Sequence, residues 1–396
     1  MNKVLIISPN FPPANKVSSL RPYYLARAFS RRGLEVDVYS YVSRDGSLQR
    51  AEERLAVFRM GGSSFRWLLS VFLSLLRSRI RGDRYSVVLS TYGPSVSHVV
   101  GLIAKVIWPY AIWVADYRDL WTTGYYYRTE ITLAGKIKRR LEKLILMPAE
   151  LIMSVSPTLL KHLTRFHRKP GLLMYNGFEK SSGVVMEGGG KVLPDVGAVR
   201  IVYTGTIYPE RSPEDLLEAI LGVKRRIADA AVVDLRIFFA GHVDPRVEKR
   251  IQKYVDIGLV EILGPVDRSV AYQLQLEADF LLLIEAPEAT ALGVLTGKLF
   301  EYLGTGNPII AVGVSQDSDM YRLLQGRGRA AYVGLRDGSF ELFIGSLLEG
   351  QADLMNGGAD VTDEFERERL SEAAVSAILR RTTRARKGGR GISALL

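Results

Sequence analysis

Short unbroken apolar runs alternate along this chain with longer stretches whose apolar residues recur at helical spacing. That alternation marks buried parallel strands covered by helices. KVLII at Lys3–Ile7 reads as a first strand. The loop SPNFPPANKVSS leads to a helix from about Leu20 to Arg32, which Gly33 stops before the strand EVDVYSYV. Tyr85–Ser90 and Ala111–Ala115 are further strands, with the loop and helix TYGPSVSHVVGLIAKVI between them, and LIMSVSPTLLKHL and GLLMYNGF continue the series. A second series opens at Val199: strand RIVYTGTI, helix EDLLEAILGVKRR, strand DLRIFFA, then VEILG, AYQLQLEADFLLLI and IIAV. Residues 179–198, weakly apolar and rich in Gly and Ser, read as a linker. The pattern predicts an α/β chain of two doubly wound, Rossmann-like domains facing a central cleft, 1–178 and 199–362. A helix over 363–386 and a disordered tail, 387–396, follow.

One stretch carries the densest chemistry, LTGKLFEYLGTGNPIIAVG at Leu295–Gly313. Thr296 is placed to cap a helix start. Gly297 lets a ligand approach the backbone, and Lys298 adds a positive charge to the same turn. Free N–H groups, the helix dipole and an ammonium together suit an anion, above all a diphosphate. Glu301 shares a face with Lys298 at i, i+3, and a carboxylate beside a diphosphate makes sense if it accepts hydrogen bonds from ribose hydroxyls. The plainer alternative is an amphipathic helix feeding a strand. Asp317-Ser318-Asp319 is the single D-x-D triplet, and its place before MYRLL predicts helix capping rather than metal binding.

In the first half, functional residues of an open α/β sheet should gather at the carboxyl ends of strands. Asp116, Arg118 and Asp119 sit at such an end. Asp116 and Arg118 are candidates to bind or polarise a substrate and Asp119 to orient Arg118, unless the three only brace the loop. FRWLLSVFLSLLRSRI at Phe65–Ile80 is an apolar helix with Arg66, Arg77, Arg79 and Arg81 at its margins. It is too short to span a bilayer comfortably, which takes about 20 residues. It suits a membrane interface or packing on the sheet. The tyrosines and KIKRRLEK between Gly124 and Lys143 fit a lipid headgroup zone or a solvated helix face.

Composition narrows the field. The 396 residues are 47% hydrophobic and 24% charged, ordinary for a globular chain with two cores. With no cysteine there is no disulfide, thiolate metal site or cysteine nucleophile, which fits a reducing cytoplasm. The four histidines, His98, His162, His167 and His242, form no metal pair. Residues 1–180 hold 28 Lys and Arg against 12 Asp and Glu, residues 181–379 hold 19 against 30, and residues 380–396 add six cations. A basic half joined to an acidic half suggests that one half meets an anionic surface. No nucleic-acid motif accompanies the charge.

The Leu295–Gly313 segment resembles the donor-binding motif of glycosyltransferase family 4, a family with the GT-B fold. The resemblance extends over roughly residues 1–375 and includes Asp116–Trp121, Ser154–Pro157 and Tyr175–Phe178. It implies a retaining glycosyltransferase that takes a sugar from a nucleoside diphosphate sugar, with no obligatory metal or cofactor. It also implies a C-terminal helix crossing back to the first domain. By position, Glu301 would hold the ribose. Gly205, Thr206, Arg211, Leu295, Thr296, Gly297 and Lys298 would surround the diphosphate, and Gly264 to Val266 would lie near the base. Thr206 stands where much of the family has arginine, and Gly293 where it has a first glutamate eight positions before the second. Asn15, Ser18 and Ser19 stand where many members have Gly-Gly. With Arg21, Asp116, Arg118 and Asp119 they form the implied acceptor side. Arg211 and Lys298 would stabilise the leaving group. The implied partners are a nucleotide-sugar donor, a lipid-linked glycan acceptor and an anionic membrane surface. The implied setting is peripheral, at the cytoplasmic face. A nucleotide-sugar epimerase of the same fold and a non-catalytic membrane adaptor remain as alternatives.

Overall fold

The computed structural model describes residues 3–13, 17–41, 48–52, 54–123, 132–180, 192–194, 198–226, 234–286, 293–325, 330–333, 339–348 and 363–392. The chain divides into two compact units, Met1–Gly177 with Glu364–Leu396, and Phe178–Asp363. The first unit holds β1 (Lys3–Ile7), α1 (Val17–Arg31), β2 (Glu35–Tyr41), β3 (Leu48–Glu52), β4 (Leu55–Met60), α2 (Ser64–Ile80) and β5 (Tyr85–Thr91). It continues with α3 (Val96–Ile107), β6 (Ile112–Tyr117), α4 (Leu133–Leu146), β7 (Leu151–Ser154), α5 (Pro157–His167) and β8 (Gly171–Leu173). The second unit runs β9 (Ala198–Thr204), α6 (Glu214–Arg226), β10 (Asp234–Ala240), α7 (Pro245–Asp256), β11 (Val260–Gly264), α8 (Arg268–Glu277) and β12 (Phe280–Ile284). It ends with α9 (Gly297–Thr305), β13 (Ile309–Val312), α10 (Asp319–Gln325), β14 (Ala330–Val333) and α11 (Ser339–Leu348). Helix α12 (Arg367–Ile392) belongs to the first unit.

The first sheet has the order β3-β4-β2-β1-β5-β6-β7-β8 and the second β11-β10-β9-β12-β13-β14. Their pairings are parallel except for β3 against β4. Both faces of the first sheet are covered, which is why strands such as β1 read as nearly unbroken apolar runs. The polar residues that inner strands do bury, such as Asp37, Ser90 and Asp116, are hydrogen-bonded. Side chains alternate: Leu5 and Ile7 of β1 meet Trp67, Val71 and Leu75 of α2 and Val100 and Ala104 of α3 on one face. Val4 and Ile6 meet Leu25 and Phe29 of α1 and Ala374, Val375 and Ile378 of α12 on the other. Gly101 lets α3 approach closely, since a Cβ there would lie 2.6 Å from the Trp113 ring.

Helix α12 is also tied to α1 by charge. Arg31 meets Glu368 at 2.9 Å, Arg27 meets Glu368 at 3.1 Å and Arg32 meets Glu372 at 3.2 Å. Half-exposed pairs of this kind contribute little each, about 0.2–1 kcal/mol. They do take up three of the cations that made the first half look so basic.

Several expectations need correction. Helix α1 begins at Val17, so Ser18 and Ser19 lie in its first turn, and Ser19 is buried. Strands β3 and β4 and helix α7 were not anticipated. The stretch 179–198 is not simply a free linker. Leu193 is buried, and the Glu277 carboxylate accepts the backbone N–H of Leu193 at 2.8 Å and of Val192 at 2.9 Å. Residues 181–191 and 195–197 of that stretch lie outside the described residues. Helix α12 runs to Ile392, past the expected boundary at 386, because extending a formed helix costs far less than starting one.

Candidate functional site

The carboxyl edge of the second sheet is a row of turns with little side-chain cover. Gly205 follows β9, Gly241 follows β10 and Gly264 ends β11, with φ of 118°, 145° and 71°. The Gly205 N–H donates to the Ala240 carbonyl at 2.7 Å and the Gly241 N–H to the Gly264 carbonyl at 2.7 Å, so the turns stack in register. A side chain at 205 would be strained by its φ and would meet Lys298 Cε at 2.6 Å. Val266 lies half-buried beyond β11 and Thr206 half-buried beyond β9.

Helix α9 opens onto this edge. Thr296 has the extended backbone of a capping residue, but its hydroxyl does not cap. It donates instead to Glu285 Oε1 at 2.8 Å. The capping expected of Thr296 is therefore not made: its hydroxyl is turned to the buried carboxylate and accepts from no first-turn N–H of α9. Arg211, on a single 3₁₀ turn at Pro209–Arg211, brings Nη2 to 3.1 Å from Glu285 Oε2, at ion-pair distance but off hydrogen-bond alignment. The Lys298 ammonium donates to the Tyr203 hydroxyl at 2.6 Å and lies 4.4 Å from that ring's centre. The Tyr203 hydroxyl in turn donates to the Thr206 carbonyl at 2.8 Å.

Electrostatics follow from burial. Desolvation lowers the Lys298 pKa to about 8, with Arg211 adding to the fall and Glu285 and Glu301 opposing it. Burial raises the Glu285 pKa, against the pull of Arg211, Thr296 and Lys298. Glu301 is half-buried one turn into α9. Beside it Tyr302 is fully buried, accepts the Thr204 N–H at 3.0 Å and locks α9 to the end of β9; burial pushes its pKa up to about 12. Leu295 is buried beneath the turn.

The structure thus brings Gly205, Thr206, Arg211, Leu295, Thr296, Gly297, Lys298 and Glu301 to one edge. It adds Glu285, which the motif does not contain. Gly293 is buried and at φ 86°. Glu285 did carry a sequence signal: it is the polar residue that ends the all-apolar strand FLLLI, at the edge where functional groups collect. Within Asp317-Ser318-Asp319 it is Ser318 that caps, accepting the Tyr321 N–H at 3.1 Å. Among the described residues no group of three His, Asp or Glu side chains could hold a metal ion.

At the carboxyl end of β6 in the first unit, the bracing differs from the expected Asp116–Arg118–Asp119 bridge. Asp116 is fully buried and held by Arg21, whose Nη2 and Nε reach its carboxylate at 2.8 and 3.0 Å. Arg21 Nη1 donates to the Met174 carbonyl at 2.7 Å. A carboxylate so sealed and paired positions the loop; it does not present itself to a ligand. Arg118 is half-buried and Asp119 exposed. Burial pushes the Arg118 pKa down, while Asp119 and Asp116 hold it up. Asn15 lies outside the described residues. The neighbouring Tyr117 points into the opposite layer, where its hydroxyl donates to Glu142 Oε1 at 2.7 Å. Thr122 donates to the other Glu142 oxygen, and His167 Nε2 lies 3.4 Å from Oε1. Sequence reasoning missed Glu142, the one carboxylate of the basic helix α4.

Residues 20–177 match the model of the Glycosyl transferase 4-like domain. No curated protein matches the chain. Sucrose-phosphate synthase from Thermosynechococcus elongatus is similar in structure at TM-score 0.63 and 18% identity, covering 100% of both chains. WaaG, a glycosyltransferase involved in lipopolysaccharide biosynthesis, is similar at 0.55 and 13%, covering 95% of this chain and 99% of that one. UDP-GlcNAc 2-epimerase from Neisseria meningitidis is similar at 0.58 and 14%, covering 96% and 100%. At these identities the likeness establishes the fold, an α/β two-domain GT-B architecture.

Proposed function

We propose that this chain is a family 4-like glycosyltransferase that moves a sugar, with retention of configuration, from a nucleoside diphosphate sugar to a hydroxyl of a lipid-linked glycan. The setting would be cell-surface polysaccharide assembly at the inner face of the membrane. The observation that carries the reading is the N-terminus of α9, which the Thr296 side chain does not cap, with Lys298 beside it and Arg211 across Glu285. Three sources of positive potential converge where a leaving diphosphate would gain charge. Glu301, half-buried one turn deeper, would accept hydrogen bonds from the ribose hydroxyls.

In this reading the chain supplies charge stabilisation rather than a nucleophile. Arg211 and Lys298 hold the leaving diphosphate, and the Gly205 turn admits it to the backbone. No metal or cofactor is required. On the acceptor side Arg118 and Asp119 contact the glycan, while Arg21 and Asp116 fix the loop that carries them. Among the described residues no helix is long and apolar enough to cross a membrane.

The test is a thermal-shift panel of UDP, GDP, ADP, dTDP and CMP, with and without magnesium, on wild type and Glu301→Ala. A nucleotide present at one hundred times its dissociation constant adds about 2.7 kcal/mol of stability. One nucleotide should stabilise the wild type, and that shift should collapse in Glu301→Ala. A panel without any shift, or a shift untouched by the substitution, overturns the donor-site assignment.

A further inference from the structure

Helix α2 carries two apolar stripes, where a helix covering a sheet needs only one, and helix α4 turns its one apolar stripe outward, its buried positions being Gly135, Glu142 and Leu146. On α2, Trp67, Val71, Leu75 and Ser78 are buried against the sheet. Phe65, Leu69, Leu73, Leu76 and Ile80 recur at the same spacing on the opposite side and are exposed, Phe65 by 74% and Ile80 by 85%. On α4, Leu133, Ile137, Leu141 and Leu144 repeat the arrangement, with Leu133 exposed by 75%. Helix α3 packs against both, and from its end Val106 and Tyr110 add two more exposed apolar side chains. Three adjoining helices thus turn large apolar side chains outward together, which scattered surface residues do not do.

The charge on this face has one sign. Arg66, Arg77, Arg79, Arg81 and Arg84 surround the α2 stripe, and Lys136, Lys138, Arg140 and Lys143 the α4 stripe, all exposed. The carboxylates of these segments are occupied: Asp83 accepts from Lys3 at 3.0 Å, and Glu142 is buried under Tyr117 and Thr122. An acidic partner fits such a face. A second copy joined by a two-fold axis would oppose cation to cation and does not.

We propose that the outer face of α2, the end of α3 and α4 together seats the protein on an anionic lipid bilayer. The apolar stripes lie at the acyl boundary and the cations at the headgroup phosphates. The same helix α4 grips the 118–123 loop from beneath through Glu142, so the membrane seat and the acceptor loop share one rigid element. That last link, delivery of a lipid-linked acceptor to Arg118 and Asp119, rests on the function proposed above; the docking does not.

Co-sedimentation tests it, with vesicles of phosphatidylcholine alone or with about 30% phosphatidylglycerol. The wild type should bind the anionic vesicles, and high salt should weaken binding. Arg77→Gln, Arg79→Gln and Arg140→Gln together should lower that binding on the order of a hundredfold. Leu73→Glu with Leu141→Glu should abolish it, with an unchanged melting temperature, since both leucines are exposed. Wild type that ignores vesicles, or variants that bind as it does, would overturn the proposal. So would a wild-type dimer that the leucine variants split without any vesicle binding. Nucleotide shifts on the same samples separate the two readings: vesicle binding without any nucleotide shift leaves the seat standing and removes the donor site.

Discussion

Lys298 should be a residue whose removal strengthens the fold and weakens the function. Its pKa stands at about 8 in the folded protein against 10.5 otherwise, chiefly through burial. Between those values the unfolded chain binds more protons, so stability should rise as pH climbs from about 8 towards 10.5. Below about 8 the folded protein carries the whole cost of a buried ammonium, up to roughly 3 kcal/mol for a gap of that size. Lys298→Met relieves this cost and gives up one hydrogen bond to Tyr203, worth about 0.5–1.5 kcal/mol. At pH 7 the variant should therefore be about 1–2 kcal/mol more stable than wild type, and the gain should vanish near pH 10. Diphosphate affinity should move the other way, falling about 10- to 100-fold with the loss of one charged hydrogen bond. In the wild type a bound diphosphate raises the lysine pKa, so binding is full below about 8. Above that it should decline by up to about tenfold per pH unit. Urea unfolding and calorimetric titration across pH 6 to 10 read both effects. A Lys298→Met variant that is less stable at pH 7, by an amount independent of pH, would refute the reasoning.

Two further outcomes follow from the ion pairs. Arg21→Met leaves the Asp116 carboxylate buried and unpaired, and urea unfolding followed by a probe in the first unit should show a loss of about 3–5 kcal/mol. Adding Asp116→Leu should recover much of it, because the cost is the stranded charge. Glu285→Gln removes an anion that holds the Lys298 pKa up. The midpoint of pH-dependent nucleotide binding should then move to lower pH, and an unmoved midpoint would show that Glu285 does not act on the lysine.

The inner strands were legible because both faces of each sheet are covered, and KVLII or FLLLI has no other good explanation. The α9 segment was legible because Gly297, Lys298 and Glu301 fall within five residues at the start of one helix. What the chain hides is pairing across distance. Arg21 and Asp116 lie 95 positions apart and Thr296 and Glu285 eleven apart, and no periodicity joins them. Phe65–Ile80 was ambiguous for a related reason. A pattern apolar on two sides is consistent with a core helix and with an interfacial one, and only the placement of the sheet against Trp67, Val71 and Leu75 shows which side remains outside. Short or half-polar pieces such as β3 and β4 fell below the pattern because they sit at a sheet margin, where burial demands less.

Helix α12 has a consequence for the order in which the molecule can be made. Part of the layer that covers Val4 and Ile6 is contributed by Ala374, Val375 and Ile378, so the first unit to leave the ribosome is the last to be finished. At about 5–20 residues per second, translation takes roughly 10–40 s to pass from the end of β8 to the start of α12. Through that interval one side of the first sheet has α1 but not its second cover. The nascent chain then exposes apolar surface to whatever factors attend synthesis. The second unit, contiguous in sequence, has no such wait and can close first.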